Sequence, residues 1–207
     1  MRTILLTGFG PFPGAPYNPT AALVKRLARI RQPNLRIAGH VFETRYAAVD
    51  SELPALIARH RPDALLMFGL HGRARTLRIE TLARNELGRV RDAGGATPSA
   101  HQITPGSPHA SMRSPARRLV EAARRSGLPA MQSRNAGRYL CNYLCWRATE
   151  SVGQKGPRLA AFVHVPPVMR GAIRRGRHGF TPPALERAAR AMLAELVSCL
   201  GSGGMRP

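Results

Sequence analysis

At 207 residues the chain fits one compact domain with a sizeable core, and a hydrophobic content of 43% supports a globular fold. No run of 18 or more apolar residues occurs, which argues against a transmembrane helix. The opening "MRTILLTGFG" has too short an apolar stretch for a secretion signal, so the expected location is cytoplasmic. The formal charge of +21 invites a nucleic-acid reading, but all basic residues except Lys25 and Lys155 are Arg and they are spread along the whole chain. No zinc finger, basic zipper or RNA-binding aromatic signature accompanies them, so a solvated basic surface is the expectation and nucleic acid is not the expected partner.

In chain order, "TILLTGF" at 3–9 reads as a buried strand ending in a glycine turn. "NPTAALVKRLARI" at 18–30 follows as a helix, with Asn18 as N-cap and Pro19 at the first helical position. "LRIAGHVF" at 35–42 is a second strand, "AAVDSELPALIARH" at 47–60 a second helix, and "DALLMFGL" at 63–70 a third strand, apolar enough to be buried on both faces. Residues 88–110 change character: rich in Gly, Pro, Ser and Thr, they predict a long loop or flap. Helices are expected at 114–127 with Ser114 as N-cap, at 141–152, and at 181–200. Short "LPAMQS" at 128–133 and apolar "RLAAFVHVPP" at 158–167 are strands, and the tail from 201 is expected to be disordered. The alternation predicts a single three-layer α/β/α domain over residues 1–200 with a mostly parallel twisted sheet.

Three cysteines occur, Cys141, Cys145 and Cys199, an odd number without a CxxC pair. Neither a disulfide framework nor a metal site is expected, and free thiols fit a reducing compartment. Cys141 stands out in "RNAGRYLCNYLCWRATE": it follows a glycine turn at the expected start of a helix, where peptide dipoles favour a thiolate. A cysteine nucleophile needs a base and a group to orient that base. His164 is the best-placed histidine, near the C-terminal end of an apolar strand, where sites form in parallel α/β sheets. Among the 11 acidic residues, Glu121, Glu186 and Glu195 lie mid-helix among Arg and read as solvated ion pairs. Glu80 is the better third member.

Four segments, "TGFGPFPGAPYNPT", "GLHGR…IETLARN", "SRNAGRYLCN" and "FVHVPP", occur in the order and at roughly the spacing of the pyroglutamyl-peptidase I family of cysteine peptidases, over residues 3–170. The resemblance implies an α/β/α fold, no cofactor or metal, and hydrolysis of the bond after an N-terminal pyroglutamyl residue. By motif it makes Cys141 the nucleophile, His164 the base and Glu80 the orienting carboxylate. It implies that Phe9 and Phe12 help form the ring pocket, beside Tyr139 and Asn142, and that the chain assembles into dimers or tetramers. N-terminally pyroglutamylated peptides are the implied partners.

Three departures bear on specificity. "GLHGR" is one residue shorter than the family's turn and sets Leu70 and His71 where a polar residue is usual, so His71 is read as a substrate contact. Glu80 lies one residue farther from Arg73 than in the family pattern. The family's Arg-Ile-Pro-Asp-Asn-like stretch is replaced by "GRVRDAGG", which leaves Arg89 or Arg91 in the place of its Arg. A divergent relative cleaving another small N-capped amide, and a non-catalytic basic binding module, are the alternative readings.

Overall fold

The computed structural model describes residues 1–12, 14–153, 155–169 and 180–201. Six strands form the main sheet: β1 (Arg2–Phe9), β2 (Leu35–Phe42), β3 (Ala64–Leu70), β4 (Leu77–Glu80), β7 (Ala130–Ser133) and β8 (Leu159–Val165). A small antiparallel ribbon pairs β5 (Leu82–Arg84) with β6 (His109–Ser111). The main sheet runs β2-β1-β3-β8-β4-β7. Every neighbouring pair is parallel except β4 and β8, which are antiparallel, so β4 and β7 run against the other four.

Among the described residues, five helices cover the sheet: α1 (Pro19–Leu27), α2 (Tyr46–His60), α3 (Ala116–Arg125), α4 (Leu140–Ser151) and α5 (Pro182–Gly201). Strand alternation divides the core into two layers. Leu66 and Phe68 of β3, Ile79 of β4, and Ala161, Val163 and Val165 of β8 pack with α1, α3 and α5. Leu65, Met67, Ala160 and Phe162 point the other way and pack with α2 and α4. This is the expected three-layer α/β/α domain with a mostly parallel sheet.

Local chemistry explains most boundaries. Asn18 caps α1: its Oδ1 accepts from the Thr20 N–H at 3.1 Å, while its Nδ2 donates to the Gly10 carbonyl at 3.1 Å and ties down the loop after β1. The helix ends at Leu27, three residues short of the expected Ile30. Ser114 does not cap α3. Pro115 holds the N-cap position without a side-chain bond, and the Ser114 hydroxyl oxygen is buried without a hydrogen-bond partner among the described residues. Glu186 pairs with Arg190 at 2.8 Å and Arg26 at 3.3 Å, and Glu195 pairs with Arg118 and Arg125; the expected ion pairs form, but the two acidic side chains are only 20% and 16% exposed.

Strands β4, β5 and β6 were not expected from the sequence. "LRIE" is only four residues with two apolar positions, yet it lies between β8 and β7 and is held from both sides. Residues 88–108 carry no helix or strand, as the composition predicts. Gly201 closes α5, while residues 202–207, the rest of the expected tail, lie outside the described residues. Among the described residues, no helix is long and apolar enough to cross a membrane.

Candidate active site

The sheet register sets up the site. His164 of β8 is level with Gly69 of β3 on one side and Arg78 of β4 on the other. Alternation sends His164, Arg78 and Glu80 towards the α2/α4 layer, because Leu77, Ile79, Val163 and Val165 fill the opposite one. The His164 and Glu80 side chains are 3% and 0% exposed, and His164 Nδ1 donates to Glu80 Oε1 at 2.8 Å. The second Glu80 oxygen accepts from the Asn135 backbone N–H at 3.2 Å. A buried carboxylate with both oxygens engaged is held in one orientation, and so is the imidazole it faces.

Cys141 completes the chain of contacts. Its sulfur is close enough to His164 for its charge to act on the imidazole, and Nε2 is the ring nitrogen left free by Glu80. Burial alone would push the His164 pKa down, but charge and hydrogen bonding from Cys141 and Glu80 overcome it and raise the value to about 9. His164 is therefore an imidazolium at neutral pH, flanked by a sulfur and a carboxylate.

The segment 134–139 delivers Cys141. Both β7 and β4 run against β8, so the carboxyl end of β7 does not lie beside the carboxyl end of β8. His164 lies near the carboxyl end of β8 as expected, whereas Cys141 does not reach it along a shared carboxyl edge. Instead the chain crosses Glu80, where Asn135 donates its N–H, and turns at Gly137 with φ of 82°, a left-handed conformation that favours glycine. Asn135 Oδ1 accepts from the Gly137 N–H at 3.1 Å and closes that turn. Helix α4 then starts with Tyr139 at the N-cap position, which offers no side-chain acceptor. The first N–H groups of α4 are left without a cap, beside the Cys141 sulfur.

Space for the sulfur comes from Gly69. A Cβ there would sit 2.7 Å from the Cys141 sulfur and 2.6 Å from the buried Phe162 ring. Gly69→Ala is therefore expected to displace the sulfur from His164 and to cost about 1–3 kcal/mol of stability by overpacking. Slower alkylation of Cys141 together with a lower melting temperature checks this; a native alkylation rate would contradict it.

The sequence matches the family model described as pyroglutamyl peptidase over residues 2–200. A pyrrolidone-carboxylate peptidase of Gloeobacter violaceus is 34% identical over 173 residues, covering 83% of this chain and 84% of that protein. One from Pyrococcus furiosus is 30% identical over 185 residues, covering 88% and 89%. Among solved structures, the pyrrolidone carboxyl peptidase of Thermococcus litoralis superposes with a TM-score of 0.87 at 26% identity, over 99% of this chain and 97% of that one. The Thermus thermophilus pyrrolidone carboxyl peptidase gives 0.79 at 30% identity, over 93% and 100%. The chain belongs to the pyroglutamyl peptidase family.

Within this pyroglutamyl peptidase family member, the other sequence-predicted residues fall at different distances from His164. The His71 ring packs edge-on against His164 with centroids 5.3 Å apart, and burial first, then the His164 charge, lower its pKa. Phe12 is half-buried, 6.3 Å from the Tyr139 ring. Phe9 is a core residue, 2% exposed and packed on Phe42. Arg89 and Arg91 are solvent-exposed, and neither is hydrogen-bonded to Glu80, Cys141 or His164; the Arg91 carbonyl accepts from the Tyr139 hydroxyl at 3.1 Å.

Two residues escaped sequence reasoning as structural anchors of the 84–96 segment. Asp92, 3% exposed, accepts N–H bonds from Gly94, Ala96 and Tyr46. Asn142, fully buried next to Cys141, accepts from the Arg84 N–H at 2.9 Å and donates to the Arg84 and Glu86 carbonyls at 2.7 and 3.1 Å. The Asp-Ala-Gly-Gly string after "GRVR" was the available signal for the first, since such residues make side-chain turns. The cysteines also separate. Cys145 is fully buried, which pushes its thiol pKa well up, and Cys199 lies half-buried on α5, with burial again raising its pKa.

Proposed function

We propose that this chain hydrolyses the amide bond after an N-terminal pyroglutamyl residue through a thioester on Cys141, with His164 as acid and base and Glu80 orienting it. The observation that carries the reading is the hydrogen-bonded line from the Asn135 N–H through Glu80 to His164, with the Cys141 sulfur acting on that imidazole from the uncapped start of α4.

The Cys141 sulfur attacks the pyroglutamyl carbonyl carbon and its electron pair moves to oxygen. The oxyanion takes hydrogen bonds from the first N–H groups of α4, each donor worth about 10²–10³ in rate. As the tetrahedral centre collapses, the C–N bond breaks and His164 gives its proton to the leaving nitrogen. Water then attacks the thioester with His164 taking a proton, and the C–S bond breaks to release pyroglutamate and restore the sulfur. A side chain capping α4 would compete for the same N–H groups, which accounts for Tyr139 at that position. Phe12, backed by Phe9 and beside Tyr139, would wall the flat neutral ring, and His71 would lie at its edge. Of Arg89 and Arg91, the one that reaches substrate is read by which alanine variant raises KM.

The His164 pKa fixes the pH behaviour. Its folded value of about 9 lies above the ordinary 6.5. The stabilisation from its charged form is fully present below pH about 6.5 and is lost as pH rises through about 9. Stability should fall across that window and kcat/KM as pH rises through about 9; profiles flat to pH 10 would contradict the imidazolium. Release of amine from a panel of N-capped amides tests the substrate. Strong preference for the pyroglutamyl cap supports the reading, and equal rates for other small caps would favour a divergent specificity.

The reading extends to a cytoplasmic homo-oligomer, supported by the free thiols Cys141, Cys145 and Cys199 for the reducing compartment and by the family for assembly. Cell fractionation and light scattering check the two points.

A further inference from the structure

We propose that Arg78 forms a carboxylate-binding subsite on the leaving-group side of the site, so that the chain favours substrates whose first residue after pyroglutamyl carries a carboxylate. The inference rests on the triad reading above. It begins with the order of side chains across the sheet. Gly69, His164 and Arg78 are level on three adjacent strands, β3, β8 and β4. The Cys141 sulfur occupies the space over Gly69, at one side of His164. The acyl group must bond that sulfur, and the leaving nitrogen must reach His164 to take its proton. The leaving peptide therefore extends over the other side of His164, and the ladder partner there is Arg78. Directly opposed residues of an antiparallel pair have Cβ atoms about 4.5–5.5 Å apart, so a guanidinium at 78 reaches the first leaving residue.

Arg78 is also a cation without an anion. Its Nε is buried with no hydrogen-bond partner, and among the described residues it enters no salt bridge, although the side chain is half-buried. The nearest carboxylate along the strand, Glu80, has its oxygens taken by His164 and the Asn135 N–H. Its charge is felt by His71, whose ring stacks edge-on against His164, so the cation sits beside the site. A half-buried guanidinium without a carboxylate partner keeps its planar fork of donors unused, and a planar carboxylate is the group whose geometry matches that fork.

The α-carboxylate of a pyroglutamyl dipeptide and an aspartate side chain at the same residue supply the same chemistry, and the test separates them. The full chain is assayed on pyroglutamyl-alanine, pyroglutamyl-alanine amide, pyroglutamyl-aspartate amide and pyroglutamyl-trialanine. The expected result is a kcat/KM about tenfold higher for a carboxylate on the first leaving residue than for the neutral amide, the worth of one charge-assisted contact. Whichever of pyroglutamyl-alanine and pyroglutamyl-aspartate amide is faster identifies the source. In Arg78→Gln the ratio to the neutral amide collapses towards one, and in Arg78→Lys it is partly kept. Using ratios within one variant removes any general loss of folded protein.

The net charge of +21 draws anionic peptides from a distance, and pyroglutamyl-trialanine, with its carboxylate far from the scissile bond, measures that effect. An equal preference for pyroglutamyl-trialanine, a ratio unchanged in Arg78→Gln, or no preference at all would overturn the subsite. Turnover of the neutral amide without any carboxylate preference defeats this inference alone, whereas no turnover of any pyroglutamyl amide defeats the triad reading itself.

Discussion

Cys141→Ser is expected to lower turnover of a pyroglutamyl amide by about 10⁴-fold or more while leaving the fold intact. A serine hydroxyl is close in size to the thiol but is a far weaker nucleophile. The Cys141 sulfur occupies the gap left by Gly69 against Phe162, and a slightly smaller oxygen fits there without strain. The melting temperature should therefore stay near the wild-type value. The parallel variant Cys199→Ser changes a thiol half-buried on α5 and should keep full turnover, because that residue packs against the other face of the sheet. Turnover within tenfold of wild type in Cys141→Ser would remove the sulfur from the mechanism.

Glu80→Gln should be nearly as damaging, by about 10³–10⁴-fold in kcat, comparable to loss of the orienting carboxylate in hydrolytic triads. The amide keeps the shape but removes the charge that faces His164 Nδ1. Two of the influences holding the His164 pKa at about 9 come from Glu80, and burial opposes them. Without them burial gains weight and the pKa falls. The alkaline limb of the pH–rate profile should therefore move to lower pH, and the alkaline loss of stability should shrink with it. A merely structural role for Glu80 would lower the amount of folded enzyme without moving that limb. An unchanged limb with native kcat would contradict the assignment.

Much of this site is legible in the sequence because it lies on long, strongly patterned elements. Strands β1, β2, β3 and β8 are apolar runs bounded by turns, and α4 begins one residue before the expected Cys141. The period of two in "AAFVHV" sends His164 to one face, which is enough to orient it once the sheet is known. What is not legible is strand direction. "LRIE" is too short and too polar to register as a strand, and its pairing with β8 alone reverses β4 and β7. That reversal is why Cys141 arrives across Glu80 and not along a shared edge. Ser114 shows a related limit: a good capping residue in sequence is bypassed when the N-cap position falls one residue later, at Pro115. Gly69 looks like any strand-end glycine until the Cys141 sulfur is seen in the place of its missing side chain.

The central claim is that Cys141, paired with His164, carries the reaction. Its most direct test follows release of a fluorescent amine from a pyroglutamyl amide while a thiol alkylating agent is added in limiting amounts, with the modified residue mapped by mass spectrometry among Cys141, Cys145 and Cys199. The expected result is one-for-one loss of activity with labelling at Cys141, while Cys145, fully buried with a raised thiol pKa, stays unmodified. Turnover that persists with Cys141 fully alkylated would contradict the account.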